Sequence, residues 1–390
     1  MVSAAPRAAP AFKGPPGQED MPWLLTPGPV TTSRTVKLAM LADWSSGDPE
    51  FLQIVADIRK GLLKLANCGP DYDCVIMQGS GTFAIEAALG SFCPAVETKT
   101  LVVANGVYGE RAGAILKRLR RRHLKIVKDD CLPLSVEDVA ALLDADPAIS
   151  HVWVVHSETT GIVNPVQEIA EVVQERNRLF MIDAMASFGA LPLDMDASGI
   201  DVMVSSSNNC LEGVPGFSYV LARQEMLIES QGKCHSLVLD LHSQWKSLEA
   251  DGQFRFTPPT HALTAFHQAL KEHERQGGTA ARGARYAKNS RILVKGMREM
   301  GFVSLLNGGE ASPVSQAFLN PRDPNFDFER FYESLRARGF LIHQGPHARP
   351  PSFRIGAIGQ IDEDVMQNAV QAVREVLRDM NVTDLAPPEN

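Results

Sequence analysis

The sequence predicts an α/β protein with a mainly parallel sheet, followed by a smaller α+β domain. Two patterns carry this expectation. From Leu24 onward short continuous apolar runs alternate with longer amphipathic stretches, as in parallel strands that helices cover on both faces. From Thr264 long helical patterns take over and lead into a short mixed segment. The 390 residues suffice for two domains.

In chain order, residues 1–22 are rich in Ala and Pro and read as a disordered tail, with Met21 an alternative start. Seven strands follow: Cys74–Met77, Thr100–Ala104, Leu124–Val127, His151–His156, Leu179–Asp183, Asp201–Ser206 and Phe217–Ala222. Between them the helical period places Phe83–Gly90, Gly109–Arg121, Val136–Leu143 and Pro165–Arg178. Long helices are expected over Thr264–Gly277 and Thr279–Met300. The mixed segment comprises Ser315–Leu319, the helix Asp327–Arg338, Phe340–His343, Phe353–Ile358 and a last helix from Asp362 to Met380. The expected boundaries are 23–277 for the large domain, 278–381 for the small one and 382–390 for a tail.

A net charge of −8 argues against nucleic acid or an anionic membrane as the main partner. The basic run from Lys117 to Lys125 reads as a solvated helix face. No apolar span of membrane length and no signal-peptide core occurs. A transit peptide has little support, because Glu19 and Asp20 offset Arg7 and Lys13. The six cysteines show no CxxC pair and no metal-ligand spacing with histidine; they read as reduced thiols of a cytoplasmic protein.

Three places carry chemistry. Gln78-Gly79-Ser80-Gly81-Thr82 leaves a strand and enters a helix, where free N–H groups and the Ser80 and Thr82 hydroxyls favour an anion. Taken alone, such a segment more often only turns the chain. Asp183 closes a predicted strand, where open α/β sheets hold ligands; equally, it could cap the turn that follows. Arg354 lies between Phe353 and Ile355, and its planar fork calls for an anion. An internal ion pair would serve as well.

Taken in order, Leu25-Thr26-Pro27-Gly28-Pro29, Gln78–Thr82, Asn105-Gly106-Val107-Tyr108-Gly109, His156-Ser157-Glu158-Thr159-Thr160-Gly161, Asp183-Ala184-Met185, Val204–Gly216, Arg255–His261 and Phe353–Gly356 resemble the 2-aminoethylphosphonate:pyruvate aminotransferases. These are class V enzymes of fold type I that use pyridoxal 5′-phosphate (PLP). The resemblance runs from Trp23 to Met380. It implies a cofactor phosphate cradled by Ser80, Gly81 and Thr82, and a pyridine ring stacked on Tyr108. Thr160 would bond the ring hydroxyl, and Asp183 the ring nitrogen. Arg354 would take the phosphonate of the amine or the carboxylate of the 2-oxo acid. The same resemblance implies a homodimer, with Thr257 of a second copy reaching the phosphate.

Asn209 stands where that family has its cofactor-binding lysine. An amide has neither a nucleophilic lone pair nor useful basicity near neutral pH. PLP would then bind noncovalently and turnover would fall. Alternative expectations are a catalytically silent homologue that binds PLP or an aminophosphonate, or that partners an active subunit, and a PLP-dependent lyase acting on an aminophosphonate. Further departures from the family pattern are a Glu158–Gly161 loop one residue short, Pro346 in place of a lysine, and Ser315 with Gln316 in a stretch that is usually apolar.

Overall fold

A computed structural model describes residues 12–94, 96, 98–306, 311–345 and 351–388; Pro346 lies outside them. The strands are β1 (Trp23–Leu24), β2 (Tyr72–Gln78), β3 (Thr100–Ala104), β4 (His123–Val127), β5 (His151–Val155) and β6 (Leu179–Asp183), then β7 (Val202–Ser206), β8 (Phe217–Arg223), β9 (Ser315–Leu319), β10 (Phe340–Leu341), β11 (His343–Gln344) and β12 (Ser352–Gly356).

Strands β2 to β8 form one sheet in the order β2-β8-β7-β6-β5-β3-β4. Only β8 runs against the others, pairing antiparallel with both β2 and β7. Every residue of β3, β5 and β7 is buried, which explains why these strands are written as unbroken apolar runs. By contrast β4 is partly exposed along its length, as an edge strand should be. Helices Gly81–Phe92, Val107–Arg118 and Val166–Glu175 connect successive strands and pack their apolar sides on the sheet. The parallel strands therefore all present their carboxyl ends at one rim, where Ser80, Gly106, Glu158, Asp183 and Asn209 follow them.

A second core gathers Leu293, Met297, Phe302, Phe318, Phe331 and Phe353 with Val373 and Leu377 of the last helix, Glu363–Met380. Its sheet has the order β11-β12-β9, antiparallel throughout. Phe353 is the hub: its ring lies 5.4–6.5 Å from those of Phe302, Phe318, Phe326, Phe328 and Phe331. Burial of one such ring stabilises by roughly 1.5–3 kcal/mol. Side chains alternate along a strand, so anchoring Phe353 and Ile355 in this core turns Arg354 to the opposite face.

Both expected tails are in part structured. Phe12 packs on Phe340 at 5.5 Å, and Trp23 Nε1 donates to Lys13 O at 2.9 Å. At the other end Val382 and Leu385 join the second core, and the Asp323 carboxylate accepts from the Thr383 and Asp384 N–H groups at 2.7 and 3.0 Å. Trp23 and Leu25 belong to this core too, with β1 paired to β10. Apolar side chains near both ends supply the reason: Ala/Pro composition says nothing of what Phe12 and Leu385 can bury. Among the described residues no helix is long and apolar enough to cross a membrane.

Candidate active site

At the sheet rim lies a cavity of about 200 Å³ whose lining includes Ser80, Gly81, Thr82, Tyr108, Asp183, Asn209 and Arg354. Residues some 270 positions apart in sequence thus converge on one space.

Gly79 has φ +104°, a left-handed turn in which a Cβ would meet the Phe83 ring at 2.7 Å. That turn sends the chain from β2 directly into the helix Gly81–Phe92. Ser80 caps this helix without a side-chain hydrogen bond, leaving its hydroxyl and the first N–H groups to face an anion. Across the opening, Arg111 Nη1 donates to Thr82 Oγ1 at 3.3 Å, and its guanidinium lies 5.2 Å from the centre of the Tyr108 ring.

Tyr108 opens the helix Val107–Arg118, whose N-terminus is held by the buried Glu158 carboxylate. That group accepts from the N–H of Tyr108 at 3.1 Å, Gly109 at 2.7 Å and Thr159 at 3.2 Å. A Cβ at Gly106 would sit 2.4 Å from Glu158 Oε2, so glycine there admits the carboxylate. Burial raises the Glu158 pKa, while these three N–H groups oppose the rise.

Asp183 ends β6, is 2% exposed, and accepts from the Met185 N–H at 2.9 Å. Burial pushes its carboxyl up to about 7, with Glu158 adding to the rise and Arg111 opposing it. A cation set against it would return it to the ionised form.

Asn209 Nδ2 donates to Met185 O at 2.7 Å, and its Oδ1 accepts from Asn208 Nδ2 at 3.0 Å. The amide is thereby fixed in the cavity wall. Behind it, Glu212 N–H donates to Asn209 O at 2.9 Å. The Glu212 carboxylate pairs with Arg282 at 3.2 Å and with Arg285, and accepts from the Tyr286 hydroxyl at 2.6 Å. Arg285 also reaches Gly359 O at 2.9 Å, which ties the Asn209 loop to the segment after β12. Among the described residues no lysine lines the cavity.

Arg354 is buried. Its Nη1 donates to Thr159 O at 3.1 Å and its Nη2 lies 3.0 Å from His343 Nδ1. Among the described residues it has no carboxylate partner, so the internal ion pair left open by the sequence does not form.

One expected residue lies elsewhere. Thr160 turns its hydroxyl away, to Asp130 O at 2.8 Å, and Thr159 lines the cavity instead. The cause is the short loop: Gly161 N–H closes on Glu158 O at 3.0 Å, and within so tight a turn adjacent side chains point to different sides. Thr257 is exposed and does not line the cavity of its own chain; its carbonyl accepts from Gln78 Nε2 at 3.2 Å. Glu158, Arg111 and Thr159 were not singled out beforehand. The Tyr108–Arg111 spacing of three on a helix was the available signal for Arg111.

The aminotransferase class-V sequence pattern matches residues 44–370. The 2-aminoethylphosphonate–pyruvate transaminase of Rhizobium meliloti (strain 1021) is 50% identical over 369 residues, 94% of this chain and 96% of that protein. The chain belongs to this class V aminotransferase family. A second transaminase of the same name, from Paraburkholderia xenovorans (strain LB400), is 47% identical over 94% of this chain and 95% of its own length. Among solved structures, the pyridoxamine–pyruvate aminotransferase of Mesorhizobium loti superposes with a TM-score of 0.85 at 24% identity, covering 93% of this chain and 94% of that one. An alanine–glyoxylate aminotransferase from Nostoc sp. gives 0.83 at 22% identity, covering 97% and 98%. These two likenesses confirm the aminotransferase fold expected from the sequence.

Proposed function

We propose that this class V aminotransferase binds PLP noncovalently, with 2-aminoethylphosphonate and pyruvate as its substrate pair, and turns them over far more slowly than a lysine-bearing relative would. The family reaction gives phosphonoacetaldehyde and L-alanine. The observation that carries the reading is Asn209, held by Met185 O in the wall of a cavity whose described lining has no lysine.

The other residues suit the cofactor. The helix start at Ser80–Thr82 offers N–H and hydroxyl donors to a phosphate. The Tyr108 ring gives an aromatic face, worth roughly 0.5–1.5 kcal/mol beyond burial. Asp183, with its carboxyl raised to about 7, gains from a protonated ring nitrogen beside it. Thr159 lines the same cavity beside Arg354, which donates to its carbonyl at 3.1 Å. When bound, PLP supplies an acceptor for the amino group and a sink for the electron pair left on carbon.

Asn209 neither attacks a carbonyl nor removes a proton, so both functions of an amine at this position lapse; proton transfer alone is worth roughly 10²–10⁴-fold. Arg354 remains to neutralise the substrate anion, and Asp183 to hold the ring nitrogen.

The same reading includes a homodimer. Exposed Phe83, Leu237, Val238 and Phe256 accompany the segment that Gln78 holds at Phe256 and Thr257, and a second copy would cover them. Thr257 of that copy would then complete the phosphate site.

The test is a coupled assay with 2-aminoethylphosphonate and pyruvate on the native chain and on Asn209→Lys. The native chain should be slower by at least about 10²-fold. Equal rates would overturn the proposal.

A further inference from the structure

Two helices begin side by side at the rim of the sheet, Gly81–Phe92 after β2 and Val107–Arg118 after β3. In the first turns of the second, Arg111 reaches across to the start of the first, its Nη1 donating to Thr82 Oγ1 at 3.3 Å. We propose that Arg111 is a cofactor-binding residue, which supplies the positive charge for the phosphate at Ser80–Thr82 and so sets how tightly PLP is held without a covalent link. The inference rests on the noncovalent PLP binding proposed above and deepens that reading.

The geometry leaves this guanidinium free for a ligand. The bond to Thr82 uses one of its N–H donors, and among the described residues it has no carboxylate partner. It is held instead by the Tyr108 ring, three residues earlier on the same helix face, whose centre lies 5.2 Å from the guanidinium carbon. An aromatic face positions an arginine but brings no negative charge to neutralise it. That charge already acts on the cavity, where it opposes the raised pKa of both Glu158 and Asp183. Arg111 is solvent-exposed and lines the cavity, so an entering anion meets it directly.

The chemistry of the phosphate calls for such a group. A phosphate monoester carries roughly 1.5 to 2 negative charges at neutral pH, whereas a helix start offers only about half a positive charge. Arg111 and Arg354 are the only cationic side chains among the described residues of the lining, and Arg354 is engaged with Thr159 O and His343 Nδ1. An oxygen that accepts from the Thr82 hydroxyl lies next to Arg111, whose planar fork matches phosphate oxygens. With an amide at position 209, neither a covalent bond nor an ammonium group holds the cofactor, and this contact weighs correspondingly more in its affinity.

The experiment measures Kd by fluorescence titration of the cofactor-free protein with PLP and with pyridoxal, which lacks the phosphate. Arg111→Ala should weaken PLP about tenfold or more, as expected for loss of a hydrogen bond to a charged group, and pyridoxal by under about threefold. Arg111→Lys, which keeps the charge but not the fork, should bind PLP more tightly than Arg111→Ala and less tightly than the native chain. At saturating PLP, the Kd for 2-aminoethylphosphonate should change by under about threefold in Arg111→Ala. Undiminished PLP affinity in Arg111→Ala would overturn the inference alone. Parallel losses of PLP and pyridoxal would do the same, because Arg111 would then act by placing the Tyr108 ring. So would a loss confined to 2-aminoethylphosphonate, or a lysine variant no tighter than the alanine one. A native chain that binds no PLP would overturn the proposed function and this inference with it.

Discussion

Single residues set the chemistry here. Asp183 illustrates how an environment written far from a residue determines its charge. In the folded chain its carboxyl titrates near 7, above the ordinary carboxylate range. Between the ordinary range and pH 7 the unfolded chain is ionised at this position while the folded chain keeps its proton, so the cofactor-free protein loses stability as pH rises through that window and the loss levels off above it. Asp183→Asn should flatten this part of the curve, as read from thermal midpoints of cofactor-free protein at pH 5 to 8; an unaltered slope would show that Asp183 is ionised throughout. The same substitution should weaken PLP by about tenfold or more, because a charge-assisted hydrogen bond to the ring nitrogen is lost. Titration by fluorescence would measure it, and undiminished affinity would remove Asp183 from the cofactor site.

Elements decide which of these residues meet. The strands were legible because a sheet buried on both faces leaves continuous Val/Ile/Leu runs such as His151–Val155 and Val202–Ser206, and the residue after each run marks the rim. The order of the motifs along the chain likewise located Ser80, Asp183 and Arg354. Residue 159, and not 160, lines the cavity because of a turn closed by a single Gly161 N–H bond, which residue types alone do not specify. Glu158 was illegible for another reason: two of its three partners are backbone N–H groups about fifty residues away, which carry no side-chain signature. Glu158 is also the clearest element-scale test. Glu158→Gln replaces an acceptor oxygen with an NH₂ facing buried N–H groups at a helix start, and should destabilise the fold by about 1–3 kcal/mol. Urea unfolding would measure this; a variant as stable as the native chain would mean that the carboxylate does not hold the helix.

For the whole molecule, the proposed function implies a cofactor-loaded assembly. The exposed Phe83, Phe256 and Leu237 predict a homodimer in light scattering at micromolar concentration. Phe256→Asp should shift it toward monomer and weaken PLP in parallel, if Thr257 of a second copy contributes to the phosphate site. Retained PLP affinity in a monomer would separate the two. The central claim is that this aminotransferase holds PLP without a covalent link, because Asn209 occupies the position of an amine. Intact-mass analysis after borohydride treatment of the PLP-loaded native chain tests it directly. The account predicts an unmodified mass for the native chain, and a mass increased by one reduced cofactor for Asn209→Lys. A native chain that carries the reduced cofactor on one of its own lysines at the cavity would contradict it.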